Sequence, residues 1–368
     1  MRIGVPQEIK TREYRVGMTP AGVREARVHG HEVLVEKGAG AGIGAGDDIY
    51  ERAGARLVDT AEEVFTIADM IVKVKEPQPI ECARLREGQV LFTYLHLAAD
   101  PRQAQALQES GCVAIAYETV TAPDGGLPLL APMSEVAGRM SVQAGAHCLE
   151  KAQGGRGVLL GGVPGVPAAK VVVLGGGVVG TNAARMAMGL EAHVTVIDRS
   201  LTRLRALDFR FGARLSTLYA TADAIEREVL AADLVIGAVL VPGDSAPRLV
   251  SPEMVTRMRP GSVLVDVSID QGGCFATSRP TTHDSPTFVV DDVVHYCVAN
   301  MPGAVAHTST YALTNATLPF VLALADKGSR AAVDDDPHLR NGLNVIAGGI
   351  AHPGVAHALG VPSMDLNA

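Results

Sequence analysis

A glycine-rich turn in the middle of the chain constrains the fold more than any other feature. The strand-like run Lys170–Leu174 leads directly into the pattern G-x-G-x-x-G at Gly175, Gly177 and Gly180, and a helix-like run follows. The first glycine allows the tight turn, the second lets the backbone approach a pyrophosphate, and the third allows the helix to pack closely on the strand. The N–H groups at the start of that helix would face the phosphates. This stretch therefore predicts a dinucleotide-binding Rossmann domain.

The acidic residue that ends the next strand-like run indicates which dinucleotide is bound. Asp198 lies 18 residues after Gly180, where a carboxylate can accept hydrogen bonds from a ribose 2′-OH. Because this carboxylate would repel the 2′-phosphate of NADP, we expect NAD as the cofactor. Ser200 follows at a plausible helix start, so Asp198 could instead be a capping or solvated acid. Arg199 and Arg203 keep NADP from being excluded outright.

Length and composition are those expected of a soluble globular protein with two domains. The 368 residues can form two cores, and the net charge of −8 provides no electrostatic footprint for nucleic acid. The five cysteines are scattered without a C-x-x-C pair, which argues against a zinc site or a disulfide framework. No signal-peptide pattern opens the chain, and the glycines with Asn182 and Arg185 argue against a membrane span in the apolar window 171–190. We expect a cytoplasmic protein without membrane or nucleic-acid partners.

Strand-like and helix-like runs alternate on both sides of the glycine-rich turn, which indicates parallel sheets covered by helices. Before the turn, strands are predicted at residues 3–6, 32–36, 70–75, 90–97 and 113–118, and Thr19–Pro20 marks the first helix start. After it, Thr308 is a helix-start signal and the tail through Leu359 is predicted to be helical with loops. The predicted fold is α/β, with a Rossmann-type NAD domain (129–306) inserted in a second α/β substrate domain (1–128 and 307–368).

Ligands of an open α/β sheet bind beyond the carboxyl ends of its strands, and several polar side chains are predicted there. Lys75 ends a strand, His96 lies near the end of another, and Asp270 follows a third within Asp-Gln-Gly-Gly. Arg15 precedes a helix start, and Leu240 ends a strand. These positions are the candidate active-site residues.

Each candidate also has a purely structural explanation. Lys75 alternates with Lys73, and both lysines could simply be solvated. His96 could be a satisfied core histidine, Asp270 an Asx-turn residue and Arg15 part of a charged surface. Residue type and spacing alone therefore predict an NAD-linked enzyme with a second domain and leave its substrate open.

Several short motifs resemble those of the alanine dehydrogenases and of the NAD-binding part of nicotinamide nucleotide transhydrogenase. Residues 4–8, 15–16 and 19–20 resemble an opening signature that both groups share. The motifs that point to alanine dehydrogenase in particular are Lys73–Pro77, Tyr94–Ala98, Pro132–Glu135, Asp266–Gly273 and His295–Gly303. The similarity spans nearly the whole chain.

This resemblance implies a reversible oxidative deamination of L-alanine to pyruvate and ammonia, with NAD as acceptor, in a protein that is usually a homohexamer. Position by position, it implies that Arg15 and Lys75 bind the substrate and that His96 and Asp270 are catalytic. The implied cofactor contacts, besides the three glycines, are Ser134, Val178, Val179, Asp198, Arg203, Val239, Leu240, Val267, Ser268, Ile269, Asp270, Arg279, Val298, Ala299, Asn300 and Met301.

Some positions depart from the family pattern. A carboxylate–histidine metal pair of some members would fall on Ala323 and Lys327, so we predict no metal. Ala220 and Ala306–His307 replace residues common in the family, which could change cofactor affinity. The alternatives to an alanine dehydrogenase are a non-catalytic, transhydrogenase-like NAD module and an opine- or saccharopine-type dehydrogenase that acts on a larger amine.

Overall fold

The computed structural model describes residues 1–239 and 246–364, which divide into two compact units. Unit 1 comprises residues 1–133 and 305–368, and unit 2 comprises residues 134–304. The strands are β1 (Arg2–Val5), β2 (Glu32–Glu36), β3 (Arg56–Val58), β4 (Met70–Val72), β5 (Val90–Thr93), β6 (Val113–Ala116), β7 (Lys170–Leu174), β8 (His193–Asp198), β9 (Leu215–Tyr219), β10 (Leu234–Gly237), β11 (Val263–Asp266), β12 (Thr287–Val290), β13 (Val293–Tyr296), β14 (Leu343–Ile346) and β15 (Gly349–Ile350).

Several helices begin at a capping residue followed by proline, as the sequence predicts for the first of them. Thr19 caps α1 by accepting a hydrogen bond from Gly22 N at 3.3 Å, with Pro20 in the first turn. The helices are α1 (Pro20–Val28), α2 (Asp47–Arg52), α3 (Ala61–Ile67), α4 (Pro79–Cys82), α5 (Pro101–Ser110), α6 (Ala131–Cys148), α7 (Val178–Gly189), α8 (Leu201–Phe211), α9 (Ala222–Ala231), α10 (Pro252–Arg257), α11 (Ala306–Lys327), α12 (Ser329–Asp335), α13 (Pro337–Arg340) and α14 (Pro353–Leu359). Among the described residues, no helix combines the length and apolar composition needed to cross a bilayer.

Unit 1 is built on an eight-stranded sheet in the order β15-β14-β6-β5-β4-β1-β2-β3. The strands from β6 to β3 in that order are parallel, whereas β14 pairs antiparallel with both β6 and β15. The prediction that the tail is helical with loops is therefore wrong for Leu343–Ile346, which extends this sheet. The run is only four residues long, so its strand conformation depends on pairing with β6, which is distant in sequence.

Unit 2 is built on a seven-stranded sheet in the order β12-β13-β11-β10-β7-β8-β9. All neighbours are parallel except β12 and β13, and β7 lies where the strand order reverses. Helices cover both faces, since Val171 and Val173 of β7 enter one core cluster and Val172 and Leu174 enter another. This confirms the predicted Rossmann-type sheet, in which ligands bind beyond the carboxyl ends at the point of reversal.

Several strands end earlier than the sequence predicts. The strands predicted to end at Lys75, Leu97 and Glu118 end at Val72, Thr93 and Ala116. Their last residues instead form loops at the carboxyl edge of the sheet. Thr308 is not a helix cap, because α11 already begins at Ala306.

Candidate active site

In unit 1, three loops at the carboxyl edge of the sheet carry the predicted residues Arg15, Lys75 and His96, and a fourth carries an acidic residue. Arg15 lies in the segment after β1, Lys75 follows β4, and His96 follows β5. Glu118, which was not predicted as a site residue, follows β6. Because these strands are parallel and adjacent, their carboxyl ends share one edge.

His96 is held at this edge by its backbone and has an accessible ring. Its φ of 53° places it in the left-handed region, and its N–H donates to Glu118 Oε1 at 2.5 Å. The N–H of Leu95 donates to both oxygens of the same carboxylate at 3.2 Å. The His96 side chain is 47% exposed, and its Nδ1 lies 3.8 Å from Glu118 Oε1. A satisfied core histidine is therefore excluded, and Glu118 sets the position of the ring.

The imidazole of His96 also stacks on Tyr94. Their ring centroids lie 5.8 Å apart at an interplanar angle of 7°, while the Tyr94 hydroxyl donates to the Leu129 carbonyl at 2.6 Å. Burial raises the pKa of Tyr94 far above its ordinary value, so it remains a neutral phenol. Tyr94 thus provides a fixed aromatic face for His96.

Arg15 is buried and bound to a neighbouring carboxylate, which excludes the surface-charge interpretation. Its Nε and Nη2 each donate to Glu13 at 2.6 Å in a two-point pair, and Nη1 lies 3.1 Å from Met133 Sδ. The side chains of Arg15 and Glu13 are 2% and 0% exposed. Desolvation lowers the pKa of Arg15, but the bonds to Glu13 outweigh it and the net shift is upward. Arg15 is therefore held in a rigid, charge-compensated position.

Lys75 lies beside a buried ionic cluster that the sequence analysis did not identify. Lys73 Nζ lies 3.1 Å from Glu8 Oε2 and 2.8 Å from Glu81 Oε1, and all three side chains are at most 2% exposed. Glu8 Oε1 accepts hydrogen bonds from Val74 N at 2.7 Å and from Lys75 N at 3.4 Å. The idea that both lysines are solvated is wrong for Lys73, and Glu8 supports the backbone that carries Lys75.

In unit 2, the glycine-rich turn has the geometry that a pyrophosphate site requires. Gly175 has φ +100°, and a Cβ there would lie 2.7 Å from Ala238 O. A Cβ on Gly180 would lie 1.8 Å from Gly175 O, whereas one on Gly177 would meet no atom within 4 Å. Gly177 caps α7, and Val178 and Val179 form its first turn. The open space at Gly177 fits a dinucleotide phosphate approaching the helix start.

Asp198 connects the glycine-rich turn to the end of β8. Its Oδ2 accepts from Gly176 N at 2.6 Å and its Oδ1 from Ser200 N at 2.7 Å. The cap of α8 is Ser200, whose Oγ accepts from Arg203 N at 3.2 Å. Asp198 is therefore neither the helix cap nor simply solvated, and its carboxylate, with about four lone-pair positions, can accept further bonds from a ribose.

Asp266, at the end of β11, organises the loop that carries the residues predicted at 267–270. It is fully buried and accepts hydrogen bonds from Ser268 N at 3.1 Å, Cys274 N at 3.0 Å and Ser278 Oγ at 2.6 Å. Burial raises its pKa, although these hydrogen bonds oppose the shift. Its place at a strand end in Asp-Val-Ser-Ile-Asp is the sequence signal for Asp266, which was not among the predicted site residues.

Asp270 itself is exposed within the short 3-10 segment Val267–Gln271. Its carboxylate makes no hydrogen bond to any other described residue, so the Asx-turn interpretation belongs to Asp266 instead. Ser268 lies in the same segment and donates to the Val239 carbonyl at 2.6 Å. Val267 and Ile269 complete this turn, and Leu240 falls outside the described residues.

The remaining predicted cofactor residues of unit 2 lie at or near the same carboxyl edge. Arg279 precedes Thr281, which forms a parallel bridge with Val298 directly after β13. Ala299, Asn300 and Met301 follow, and the Asn300 carbonyl lies 3.1 Å from His283 Nε2. Ser134 is in the first turn of α6. The structure thus brings Arg15, Lys75 and His96 to one edge of unit 1, and Asp270 with most cofactor positions to one edge of unit 2.

The fold and these edges define a dinucleotide-binding protein whose Rossmann unit is inserted into a second α/β unit. The family model described as "Alanine dehydrogenase/PNT, N-terminal domain" matches residues 4–137, and the corresponding C-terminal domain model matches residues 141–353. The chain belongs to the alanine dehydrogenase/PNT family.

Individual relatives are similar over almost their full length. The alanine dehydrogenase of Halomonas elongata is 62% identical over 99% of this chain and 98% of its own, and that of Mycobacterium tuberculosis is 58% identical over 98% of both. A solved L-alanine dehydrogenase superposes with a TM-score of 0.95 at 53% identity, covering 98% of this chain and 99% of its own. The transhydrogenase of Sinorhizobium meliloti has a TM-score of 0.85 at 25% identity, covering 95% and 100%.

Proposed function

We propose that this protein is an NAD-dependent L-alanine dehydrogenase, which converts L-alanine, NAD and water reversibly to pyruvate, ammonia and NADH. The observation that carries the proposal is the accessible His96, anchored by Glu118 at the same edge as Arg15 and Lys75. Full-length similarity to named alanine dehydrogenases supports it. In this proposal unit 1 binds the amino acid and unit 2 binds NAD.

The residues of unit 1 suit a small amino acid. Glu13 compensates the charge of Arg15 and holds its guanidinium in place. In this proposal Arg15 binds the substrate carboxylate through N–H groups, and Lys75 contributes positive charge. Arginine matches a carboxylate in a planar geometry that a lysine cannot reproduce. Burial raises the pKa of the adjacent Glu76, but the hydrogen bond from Lys10 and the positive charges of Lys75 and Lys10 outweigh it, and the net shift is downward.

The acid–base chemistry falls to His96 and Asp270. The bound NAD would accept a hydride from the substrate Cα, as nicotinamide cofactors do. His96 would accept the proton that the substrate ammonium loses and would then serve water addition and release of ammonia. Asp270 would stabilise the positive charge that develops at nitrogen. The open space at Gly177 and the carboxylate of Asp198 are where the pyrophosphate and the adenosine ribose would bind.

The direct test is alanine-dependent formation of NADH by the purified protein, with NADP measured in parallel. The variant His96→Ala should lose about 10²- to 10⁴-fold in turnover while it still binds NADH, which is the usual contribution of a general acid–base residue. His193→Ala is the matched control, since His193 is exposed at the amino end of β8. Near-normal turnover in His96→Ala would reject the catalytic role of His96.

Three further properties can be tested, two of them with the same purified protein. We expect a homo-oligomer, and a hexamer by family resemblance, which light scattering after size exclusion would measure. Reduction of pyruvate with ammonia as the sole nitrogen donor separates this activity from that of an opine-type enzyme. A cytoplasmic location agrees with the proposed metabolite substrates, and cell fractionation would test it.

A further inference from the structure

The edge strand β12 carries an aromatic residue that is stacked between a cation and a buried histidine. The guanidinium carbon of Arg279 lies 4.2 Å from the centroid of the Phe288 ring. On the neighbouring strand, the His295 ring stacks with Phe288 at a centroid distance of 4.9 Å and an angle of 24°. Phe288 and His295 are direct partners in the β12–β13 register. Arg279, Phe288 and His295 therefore form one continuous stack.

The His295 end of this stack is rigid. His295 is fully buried, its Nδ1 lies 3.0 Å from the Val293 carbonyl, and its Nε2 lies 2.7 Å from Thr277 Oγ1. Burial lowers the pKa of His295, partly opposed by the bond to Val293, so the ring is neutral. With Nδ1 donating to the carbonyl and Nε2 accepting from the threonine hydroxyl, both ring nitrogens are satisfied. The plane against which Phe288 packs cannot rotate without breaking a hydrogen bond.

The Arg279 end of the stack lies at the carboxyl edge of the sheet, which is where a dinucleotide binds in a Rossmann-type sheet. Ser278, next to Arg279, donates to the buried Asp266 at the carboxyl end of β11. Thr281, two residues beyond Arg279, bridges to Val298 at the carboxyl end of β13. Arg279 is thus tethered on both sides to the carboxyl edge of the sheet, and its side chain is exposed there. An arginine is a long side chain that loses much conformational freedom when it grips a ligand, so a platform for it lowers the cost of binding.

We propose that Phe288 is a positioning residue for the cofactor, which holds the guanidinium of Arg279 at the carboxyl edge of unit 2 in the orientation that meets NAD. This inference rests on the proposed function, and on the expectation from family resemblance that Arg279 contacts NAD. Phe288 touches neither the substrate nor the reacting atoms, and its effect on binding passes entirely through Arg279. The platform requires an aromatic face, since an aliphatic side chain of similar size has no negative face for a cation.

The measured quantity is the dissociation constant of NADH, followed by nicotinamide fluorescence. Exposed cation–π contacts correspond to about two- to five-fold in affinity, so Phe288→Leu should weaken NADH binding by that factor and leave the KM for alanine unchanged. Phe288→Trp should retain full affinity. Because the chain has no tryptophan, the introduced indole also reports binding directly. Val289→Leu, on the opposite face of the same strand and 58% exposed, is the matched control.

A double-mutant cycle with Arg279→Ala decides between positioning and general support of the fold. The proposal requires that Arg279→Ala weakens NADH binding and that Phe288→Leu has no further effect in that background. Equal weakening by Phe288→Leu in both backgrounds overturns it, as does wild-type affinity of Phe288→Leu alone or weak binding by Phe288→Trp.

The proposed function fails separately from this inference. If Arg279→Ala binds NADH as tightly as the wild type while alanine turnover persists, the role of Arg279 and this inference are both wrong but the dehydrogenase activity stands. If NADH binds and the cycle behaves as expected without alanine turnover, the activity is wrong and the positioning role stands.

Discussion

Replacing Lys73 by methionine tests the buried cluster beneath the substrate edge. The substitution keeps an unbranched side chain of similar length and removes the only cation within 4 Å of both Glu8 and Glu81 among the described residues. Both carboxylates have side chains no more than 2% exposed. Two buried acidic groups then lack their common partner, and Glu8 supports the backbone of Val74 and Lys75.

The expected cost follows from this burial. Breaking a buried ion pair by removing one partner costs about 3–5 kcal/mol, because an uncompensated charge remains inside. In the wild type, burial raises the pKa of Glu8 although Lys73 opposes the shift. Without Lys73 this pKa must rise further, so the folded variant retains a proton that the unfolded chain releases. Its stability is then fully present below the unfolded pKa and falls as pH rises towards the folded pKa, by up to about 1.4 kcal/mol per pH unit.

The assay is urea unfolding followed by circular dichroism at pH 5, 6, 7 and 8 and at a fixed protein concentration. We expect the deficit of Lys73→Met to be smallest at pH 5 and to grow towards pH 8. Lys37→Met is the control, since Lys37 pairs with Asp59 at the surface and should change nothing measurable. Changing Glu8 and Glu81 to glutamine in the same variant should restore much of the lost stability. A small deficit in Lys73→Met that does not vary with pH would refute the reasoning.

Four further outcomes are expected. Gly180→Ala should destabilise the fold by about 1–3 kcal/mol or more, because its Cβ would lie 1.8 Å from Gly175 O; chemical unfolding measures this. Gly177→Ala should cost no more than about 1 kcal/mol of stability, because alanine is a poorer N-cap than glycine. It should weaken NADH binding about tenfold or more, which is about 1.4 kcal/mol, since the new methyl would occupy the space open for a pyrophosphate; fluorescence titration measures this. Burial lowers the pKa of His295 below the ordinary 6.5. The free energy of unfolding therefore keeps its full value above pH 6.5 and decreases as pH falls through the lowered pKa. His295→Gln should flatten this decline, which is measured as the urea midpoint between pH 7 and 5. Glu118→Gln should reduce turnover by about 10- to 100-fold through misplacement of His96, without changing NADH affinity.

Each of these outcomes has a control or a contrary result. Gly189→Ala is the control for both glycine variants, because a Cβ there meets nothing within 4 Å and alanine suits a helix better. If the urea midpoint of His295→Gln declines between pH 7 and 5 as in the wild type, the carboxylates with lowered pKa, such as Asp69, dominate the pH dependence of stability even above pH 5. Normal turnover in Glu118→Gln would show that the left-handed backbone alone positions His96.

Features that depend on neighbouring residues could be predicted from the sequence. The turn at Gly175–Gly180 and the cap at Thr19 are local, because each is decided by residues within a few positions of one another. Strand ends were predicted too far along the chain, since apolar residues continue into the loops after Val72 and Thr93. Lys75 and His96 lie in those loops. They were therefore predicted at the correct edge of the sheet, although the strands end before reaching them.

Contacts between distant segments could not be predicted in the same way. Lys73 and Lys75 are the same residue type two positions apart, and only the fold encloses one of them between Glu8 and Glu81. The strand β14 exists because β6 offers a pairing edge, although more than 200 residues separate the two. Glu118 becomes an anchor for His96 only because β5 and β6 are parallel neighbours.

The sequence by itself determined the Rossmann-type unit and its dinucleotide turn, because glycine spacing and apolar runs act through local backbone sterics and burial. Only the tertiary structure decided which charged side chains are buried in pairs and which are presented at the edges of the sheets. The physical reason is that a charge is tolerated inside a protein only beside a partner. Arg15 finds that partner in Glu13, two residues away, but Lys73 finds Glu8 only when the chain has folded.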